Sequence, residues 1–394
     1  MTEVKTKQAT LRPDLPTSLR TGGRGLHAVE RVNRCGVNAL VIGGTGPTGP
    51  LVVEGLLKRG YEVTLLHRGK HEVEFPGPVA HLHGEPHFLE PLKEALGALK
   101  FDLVIGMYGR LRYIAEAIKG KTARFIAIGG MPYKAFLEGE KSREGVPLLI
   151  REEAPLFRDE RKNKFTYLMT LSEEVVMDAH REGYYAATIL RFPMIYGPRQ
   201  VAPREWCILR RILDGRKHLI IPDGGLKLER RGYAGNVAHA VLLAVDKPRE
   251  SAGEIFNVGD ETIWSLKHWV ELITQHLNYK WELVSMPFSI ARPSRPYAGR
   301  SFHWVPSIEK IRIQMGYRDI VPPLEGLNRT LQWILENRPQ PGGEMDRGLG
   351  DSFDYSMEDR LIRDYEEGLK RMRGSVSGAY RFRHAYEHPE KEER

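Results

Sequence analysis

The stretch that decides the fold reads Ala39-Leu-Val-Ile-Gly-Gly-Thr-Gly-Pro-Thr-Gly49, followed by Pro50-Leu-Val-Val-Glu-Gly-Leu-Leu57. The apolar run at 39–42 is bounded by glycine, which is typical of a buried parallel strand. The apolar residues of the second segment have helical spacing, and Pro50 suits a first helical turn because its missing N–H is not needed there. The stretch therefore predicts a strand, a glycine-rich turn and a helix.

The turn carries three glycines at regular intervals, which predict a dinucleotide-binding loop. Gly43 permits the tight turn, Gly46 lets the backbone approach a pyrophosphate, and Gly49 lets the helix pack close to the strand. The helix N-terminus would direct N–H groups and partial positive charge at the phosphates. Because another strand follows at 61–66, we assign the cofactor-binding role to Gly43, Thr45, Gly46, Pro47, Thr48 and Gly49.

Composition indicates an ordinary globular protein. The chain has 394 residues, of which 28% are charged and 41% hydrophobic, so it can bury a large core in one or two domains. No apolar run approaches the ~20 residues that span a bilayer, and residues 1–36 lack the apolar region of a secretory signal. With only Cys35 and Cys207, no disulfide framework is expected, and we predict a cytoplasmic protein.

The net charge of +8 is concentrated at the N-terminus. Residues 1–36 contain seven Lys and Arg against three acidic residues, which is half of the net charge. Proline and glycine interrupt this segment, and we predict a disordered basic tail. Such a tail is more often solvated than bound to nucleic acid, so we expect no membrane partner and do not predict a nucleic-acid partner, although nucleic acid stays open as an alternative.

The end of the second strand indicates which dinucleotide is preferred. An NAD site usually has an acidic residue there to bind the ribose 2′-hydroxyl, whereas an NADP site needs a cation for the 2′-phosphate. This chain has His67 and Arg68 and no acid. Because arginine can bind phosphate through two parallel hydrogen bonds, we predict NADP rather than NAD; a solvated arginine is the alternative.

Further strands at 78–84, 101–108 and 123–130 alternate with helical segments. This order predicts an α/β protein with a doubly wound parallel sheet, which binds ligands at the carboxyl ends of its strands. His81, His83 and His87 could suggest a metal site, but no further ligand completes a tetrahedral set. We therefore predict no metal.

Several later segments resemble the extended and atypical short-chain dehydrogenase/reductase proteins, the group of NAD-dependent epimerases and dehydratases. Ile189-Leu-Arg-Phe-Pro-Met-Ile-Tyr-Gly-Pro-Arg-Gln200 is similar to their L-R-x-x-N-V-Y-G-P-R-Q segment, and Gly253-Glu-Ile-Phe-Asn-Val-Gly259 to G-E-x-F-N-V-G. The resemblance covers about residues 37–338. It implies a Rossmann core at about 37–190 and a smaller C-terminal substrate domain, with an additional linker, helix and charged tail at 339–394.

The resemblance also implies positions around the cofactor. Glu85 follows the third strand, where family members place an acid near the adenine. The end of the fourth strand faces the nicotinamide side, and Pro193 belongs to the L-R-x-x-N-like segment. The further cofactor-binding residues implied in this way are Glu85, Gly106, Met107, Tyr108 and Pro193.

The catalytic Tyr-x-x-x-Lys pair of the family is missing, because none of the 16 tyrosines has a lysine four residues later. In the family a glutamate often follows the lysine by four residues. If Glu173 is that glutamate, Phe165 and Met169 replace the pair. If Glu174 is that glutamate, Thr166 and Thr170 replace it.

Nearby polar residues are also replaced. Gly129-Gly130 stand where the family usually has serines, and Met194 stands where an asparagine often contacts nucleotide sugars, which argues against such substrates. Tyr133, Tyr167 and Lys164 are the substitutes that we consider for proton transfer.

Two functions therefore stay open. The first is an NADP-dependent oxidoreductase or epimerase/dehydratase-like enzyme that acts on a small organic carbonyl or alcohol, with an unconventional tyrosine or water as the proton donor. The second is a non-catalytic NADP-binding sensor or an RNA-associated protein of the same fold. A homodimer is compatible with either function.

Overall fold

The structure is a computed structural model that describes residues 36–69, 73–107, 110–138, 148–375, 378 and 385–386. The predicted N-terminal tail, apart from its last residue, lies outside the described residues, as do Tyr108 and most of the charged C-terminal tail. The chain divides after Cys35 into two units, and every described residue belongs to the second unit, Gly36–Arg394.

Strands and helices alternate through the first half of the described chain. The strands are β1 (Asn38–Ile42), β2 (Glu62–His67), β3 (Val79–His83), β4 (Leu103–Gly106), β5 (Arg124–Gly129), β6 (Ala186–Arg191), β7 (Met194–Tyr196), β8 (His218–Pro222), β9 (Leu228–Glu229), β10 (Arg231–Tyr233), β11 (Glu254–Asn257), β12 (Trp264–Ser265) and β13 (Glu282–Met286). The helices are α1 (Gly49–Lys58), α2 (Leu89–Leu96), α3 (Leu111–Ala117), α4 (Ala135–Glu138), α5 (Lys164–Arg181), α6 (Glu205–Leu213), α7 (Ala234–Asp246), α8 (Pro248–Ser251), α9 (Leu266–His276), α10 (Arg295–Ala298), α11 (Glu309–Met315), α12 (Pro323–Glu336), α13 (Glu344–Leu349) and α14 (Tyr355–Gly374).

A seven-stranded sheet forms the centre of the protein. Its strand order is β11-β6-β5-β4-β1-β2-β3, and every neighbouring pair is parallel. The order reverses at β1, which places the cofactor side of a doubly wound sheet at the carboxyl ends of β1 and β4. The predicted fold class, a Rossmann-type doubly wound sheet, is confirmed.

Both faces of the sheet are covered by apolar side chains, as parallel sheets require. On one face, Val41 and Ile105 belong to a cluster with residues of α1 and α7. On the other face, Leu40 and Val104 pack with residues of α2, α3 and α5. The alternation within β1 follows from the two-residue period of a strand.

The C-terminal part of the chain builds a second core beside the sheet. Trp206 of α6, Trp269 of α9 and Leu331 of α12 belong to one buried cluster. Two short parallel strands, β8 and β13, support it. We call this part the C-terminal lobe.

The helix predicted near the end of the chain is present, but its start differs. The sequence predicts Ser356 as the cap, whereas the Asp354 side chain accepts a hydrogen bond from the Met357 N–H at 3.0 Å and α14 begins one residue before Ser356. The predicted apolar stripe packs partly on the C-terminal lobe through Leu361 and Tyr365, together with buried Ile362. Met372 is exposed.

In the described ranges, no helix combines the length and the apolar character that are needed to cross a membrane.

Candidate functional site

The glycine-rich loop adopts the geometry that the sequence predicts. Gly43 has a φ of +85°, a region that side chains other than glycine rarely adopt, and its N–H donates to the Leu66 carbonyl at 3.1 Å. A Cβ on Gly49 would lie 2.1 Å from the Gly44 carbonyl oxygen, so only glycine allows α1 to start so close to the turn. A Cβ on Gly46 would meet no atom within 4 Å. The loop thus offers open space at a helix N-terminus, which fits the pyrophosphate of a dinucleotide.

The end of β2 presents one buried and one exposed side chain. His67 is buried, and its Nδ1 accepts the Gly69 N–H at 3.2 Å. The proton of the neutral ring then belongs on Nε2, which lies 2.8 Å from Nδ1 of His81. These contacts hold His67 at the strand end, and its predicted contact with the cofactor stays a prediction. Arg68 is exposed beside it.

Glu85 lies after β3, in the turn that leads to α2. Its carboxylate contacts Nδ1 of His87. Partial burial opposes ionisation, but the contact with His87 and the nearby Arg68 guanidinium hold the pKa of Glu85 below its ordinary value. An ionised carboxylate can accept hydrogen bonds from an adenine amino group. Among the described residues, no group of three or more histidine, cysteine or acidic side chains is arranged to hold a metal ion.

The nicotinamide side of the sheet edge is apolar. A Cβ on Gly106 would lie 3.1 Å from the Phe125 ring and 3.3 Å from Leu111, so this strand end has no room for a side chain. Met107 is buried directly after it. Pro193 is half-buried between β6 and β7, 3.2 Å from the position of a Cβ on Gly232.

Glu173 and Glu174 differ in their surroundings. The Glu173 carboxylate accepts hydrogen bonds from Nε and Nη2 of Arg191 at 2.9 and 2.7 Å, and both side chains are buried. Glu174 instead pairs with Arg158 at the surface. We favour Glu173 as the counterpart of the family glutamate, an alignment that stays a prediction and that puts Phe165 and Met169 at the tyrosine and lysine positions.

On that alignment, three positions that are usually polar in the family are apolar here. Phe165 is 71% exposed, and the Met169 sulfur lies 2.8 Å from the position of a Cβ on Gly130. A serine at position 130 would displace Met169. None of these three side chains can donate or accept a proton.

Tyr133 has a structural role and does not fit the predicted role of proton donor. Its ring is fully buried, its hydroxyl donates to Oδ1 of Asn257 at 2.6 Å, and it accepts from Nη1 of Arg191 at 2.7 Å. Burial raises the pKa of Tyr133 to about 12, although Arg191 and Asn257 act in the opposite direction. A buried phenol with both hydrogen-bonding capacities used cannot reach a substrate.

Tyr167 and Lys164 are also displaced from the site. Two residues along an α-helix correspond to about 200°, so Tyr167 points about 160° away from Phe165. Lys164 is 72% exposed at its side chain and lies 3.5 Å from Glu160. The structure therefore does not assemble the predicted catalytic group of Tyr133, Tyr167 and Lys164.

Charged residues in the C-terminal lobe form a site that the sequence interpretation missed. Nη2 of Arg231 lies 2.7 Å from Glu229, and Nζ of Lys227 lies 3.5 Å from the same carboxylate. Burial would raise the pKa of Glu229, but Arg231 and Lys227 lower it to about 2. Arg204 completes the group, because a Cβ on Gly299 would lie 3.2 Å from its Nη1 and 3.7 Å from Nζ of Lys227. The signal in the sequence was the charged run Lys227-Leu-Glu-Arg-Arg231 after a glycine turn.

This charge cluster has an excess of cations. Arg204, Lys227 and Arg231 face only Glu229 and Glu205, and Oε2 of Glu205 has no hydrogen-bond partner among the described residues. Burial raises the pKa of Glu205 despite the nearby Arg231, and burial also lowers the pKa of Lys227. The half-buried Arg204 is the most accessible cation of the cluster, and an anion is its natural partner.

The parallel sheet and its glycine-rich loop define a Rossmann-type dinucleotide-binding protein. Residues 146–259 match the model of the NAD dependent epimerase/dehydratase family. A UDP-N-acetyl-alpha-D-glucosaminuronate decarboxylase from Bacillus cytotoxicus is 25% identical over 334 residues, which cover 75% of this chain and 97% of that protein. The chloroplast stem-loop binding protein of 41 kDa b from Arabidopsis thaliana is 24% identical, over 73% of this chain and 76% of that protein.

Among solved structures, a UDP-glucose 4-epimerase from Thermotoga maritima with UDP-glucose has the same fold. Its TM-score is 0.62 at 19% identity, over 77% of this chain and all of that chain. The predicted resemblance to the extended short-chain dehydrogenase/reductase proteins of the NAD-dependent epimerase/dehydratase type is thus confirmed by the family model and by these relatives, while the Tyr-x-x-x-Lys pair is absent from the sequence. The comparisons support an enzyme of this type, and they do not support the alternative of a non-catalytic sensor.

Proposed function

We propose that this protein is an NADP-preferring enzyme that oxidises or reduces a carbon centre of a nucleotide sugar. The observation that carries the substrate class is the cation-rich cluster of Arg204, Lys227 and Arg231 in the C-terminal lobe. The diphosphate of a nucleotide sugar supplies the negative charge that this cluster lacks. The UDP-sugar enzymes among its relatives support the same class.

The expectation that Met194 argues against nucleotide sugars rests on a single position. Met194 is half-buried in β7, and the strand paired with it begins at Arg231. Arg231 is thus paired with Met194, the position at which family members often have an asparagine. We give the cationic cluster more weight, because charge complementarity to a diphosphate is the stronger requirement.

The residues present fit a dinucleotide cofactor. The loop Gly43–Gly49 would hold the pyrophosphate, Arg68 the adenosine ribose, and the surface at Gly106, Met107 and Met169 the nicotinamide. When bound, such a cofactor supplies hydride transfer. Met107, buried directly after β4, and the half-buried Met169 of α5 would exclude water from one side of the reacting carbon.

We infer that the proton of the reaction is carried by water or by the substrate itself. Phe165, Met169 and Gly130 have no titratable group, and Tyr133 is occupied by Asn257 and Arg191. The exposed ring of Phe165 leaves the mouth of the site open to solvent on that side. A water molecule can therefore reach the position that a tyrosine hydroxyl would occupy in the family.

A panel of UDP-sugars and dTDP-sugars with NADP⁺ tests this proposal, with nicotinamide absorbance and product analysis as readouts. We expect turnover of at least one sugar, and Arg204→Ala should weaken its binding about tenfold or more while NADPH affinity is kept. Arg295→Ala, an exposed arginine of the same lobe, is the matched control. If calorimetry shows that no nucleotide sugar binds the NADPH-loaded protein, the substrate class is wrong.

A further inference from the structure

Two loops at the carboxyl edge of the sheet meet through Phe88 and Arg110. Phe88 lies between β3 and α2, and Arg110 lies between β4 and α3. The order β4-β1-β2-β3 places these strands on opposite sides of β1 and β2. The Arg110 guanidinium carbon is nevertheless 5.5 Å from the centre of the Phe88 ring. Because α2 and α3 pack on the same face of the sheet, the contact joins two neighbouring loops at the carboxyl ends of β3 and β4, the edge at which this fold binds its ligands.

Aromatic rings orient the Arg110 side chain. Its guanidinium carbon also lies 5.8 Å from the centre of the Tyr113 ring, and the guanidinium carbon of Arg112 lies 4.4 Å from the same ring. Arg112, and to a smaller extent Arg110, lower the pKa of the half-buried Tyr113 phenol. A guanidinium that rests on aromatic rings keeps the N–H groups in its plane available for a phosphate, and it loses little further freedom on binding.

The charges around this contact favour an anionic ligand. In the described ranges, neither Arg68 nor Arg110 forms an ion pair with a carboxylate. Glu85 is close enough to Arg68 for the guanidinium to help lower its pKa, and its carboxylate is in contact with His87. The Phe88 N–H donates to the Glu85 carbonyl at 3.4 Å, so one turn connects the surroundings of Arg68 with those of Arg110.

We propose that Arg110, held by Phe88 and Tyr113, is a second cation for the 2′-phosphate of NADP and lies across the adenosine end from Arg68. The phosphate monoester carries nearly two negative charges at neutral pH, which one guanidinium does not balance. Phe88 is 54% exposed, and its free area offers a surface against which an adenine can pack. This inference rests on the NADP preference proposed above.

Binding experiments test the inference without turnover. Intrinsic fluorescence is titrated with NADPH, NADH and adenosine 2′,5′-bisphosphate for the wild type, Arg110→Ala, Arg110→Lys and Arg112→Ala. We expect Arg110→Ala to weaken NADPH and the bisphosphate about tenfold and NADH less than about twofold. Arg110→Lys should recover part of the loss, because it keeps the charge and loses the planar fork. Arg112→Ala is the matched control, because Arg112 lies two residues after Arg110 and contacts the same Tyr113 ring.

The outcomes separate this inference from the cofactor preference. If the wild type binds NADPH no more tightly than NADH, the NADP preference itself is wrong. If NADPH is preferred, and Arg68→Ala alone removes the preference while Arg110→Ala keeps it, the second cation is wrong. If Arg112→Ala weakens NADPH as much as Arg110→Ala does, the effect is general attraction by positive charge, which also overturns the specific site.

Discussion

The Glu173 carboxylate and the Arg191 guanidinium form a two-bond ion pair between α5 and the end of β6, and water is excluded from it. Arg191 also donates to the Tyr133 hydroxyl and to the Glu152 carbonyl. The pair thus joins the helix that would carry the catalytic residues to two loops at the sheet edge. The sequence lacks the catalytic tyrosine and lysine of the family, and this buried pair fixes α5 against the sheet.

Glu173→Gln should destabilise the protein strongly, because it leaves the buried Arg191 without its counter-charge. Loss of one partner of a buried pair costs about 3–5 kcal/mol of unfolding free energy. Urea denaturation followed by fluorescence measures the change. The neighbouring Glu174→Gln is the control, since its ion pair with Arg158 is exposed and should contribute about 0–1 kcal/mol. Equal effects of the two substitutions would contradict the role of the pair.

Tyr133→Phe should lower stability and leave NADPH affinity unchanged. It removes the hydroxyl between Asn257 and Arg191, and an unsatisfied buried amide oxygen costs about 1–3 kcal/mol. Tyr185→Phe is a matched buried tyrosine whose hydroxyl makes only a long hydrogen bond of 3.4 Å, so it should cost less. A Tyr133→Phe protein of wild-type stability that loses turnover would restore the catalytic interpretation.

Arg68→Ala should remove most of the preference for NADPH over NADH. A charge-assisted phosphate contact contributes about 1.5–3 kcal/mol, so we expect the ratio of the two dissociation constants to fall at least tenfold. Fluorescence titration with both nucleotides measures the ratio, and the exposed Arg249→Ala controls for net charge. An unchanged ratio would mean that Arg68 is only a solvated side chain at a strand end.

Asp319 makes stability depend on pH. Its Oδ2 accepts the Glu261 N–H at 2.9 Å, and burial together with the nearby Asp260 raises its pKa from 3.8 to about 7. Because the folded-state pKa lies above the ordinary value, the unfolded chain ionises first, and stability is lost as pH rises from about 4 to about 7. Asp319→Asn should therefore raise the melting temperature more at pH 8 than at pH 4. A gain that is the same at both pH values would contradict the shift.

Arg211→Gln should loosen the C-terminal segment. The buried Arg211 on α6 binds Asp351 at 2.7 Å and also Glu358 of α14, so its loss removes the cation of Asp351 and leaves Glu358 with only Arg216, 3.9 Å away. We expect a loss of about 3–5 kcal/mol and faster proteolysis near α14. Arg216→Gln, whose partner Asp359 is half-exposed, should have a smaller effect. Equal proteolysis of the two variants would mean that Arg211 does not hold the segment.

The parts that the sequence predicted are those that local interactions determine. Gly43, Gly46 and Gly49 require a particular backbone, and the apolar run of β1 must be buried, so the loop and the sheet could be predicted. The start of α14 was misplaced because Asp354 and Ser356 are both good caps, and only the observed hydrogen bond distinguishes them. A single sequence gives little information on which of two neighbouring residues caps a helix.

The parts that could not be predicted depend on residues far apart in the chain. Tyr133 looked catalytic because it follows a strand end, but its role is determined by Asn257, which lies 124 residues later. The contact of Phe88 with Arg110 depends on the path of α2 across the sheet. The charge cluster forms only because Arg204, which precedes α6, meets Lys227 and Arg231, which follow β8 in the chain. Topology, rather than local spacing, places these groups.

The ion pair between Arg211 and Glu358 also has a consequence for synthesis of the protein. The two residues are separated by 147 positions, which a ribosome at about 5–20 residues per second needs roughly 7–30 s to translate. During that interval α6 has already been synthesised, but the carboxylate partners of its Arg211 guanidinium are still missing. The lobe can therefore close only after α14 has left the ribosome exit tunnel, and translation time limits the earliest moment of its completion.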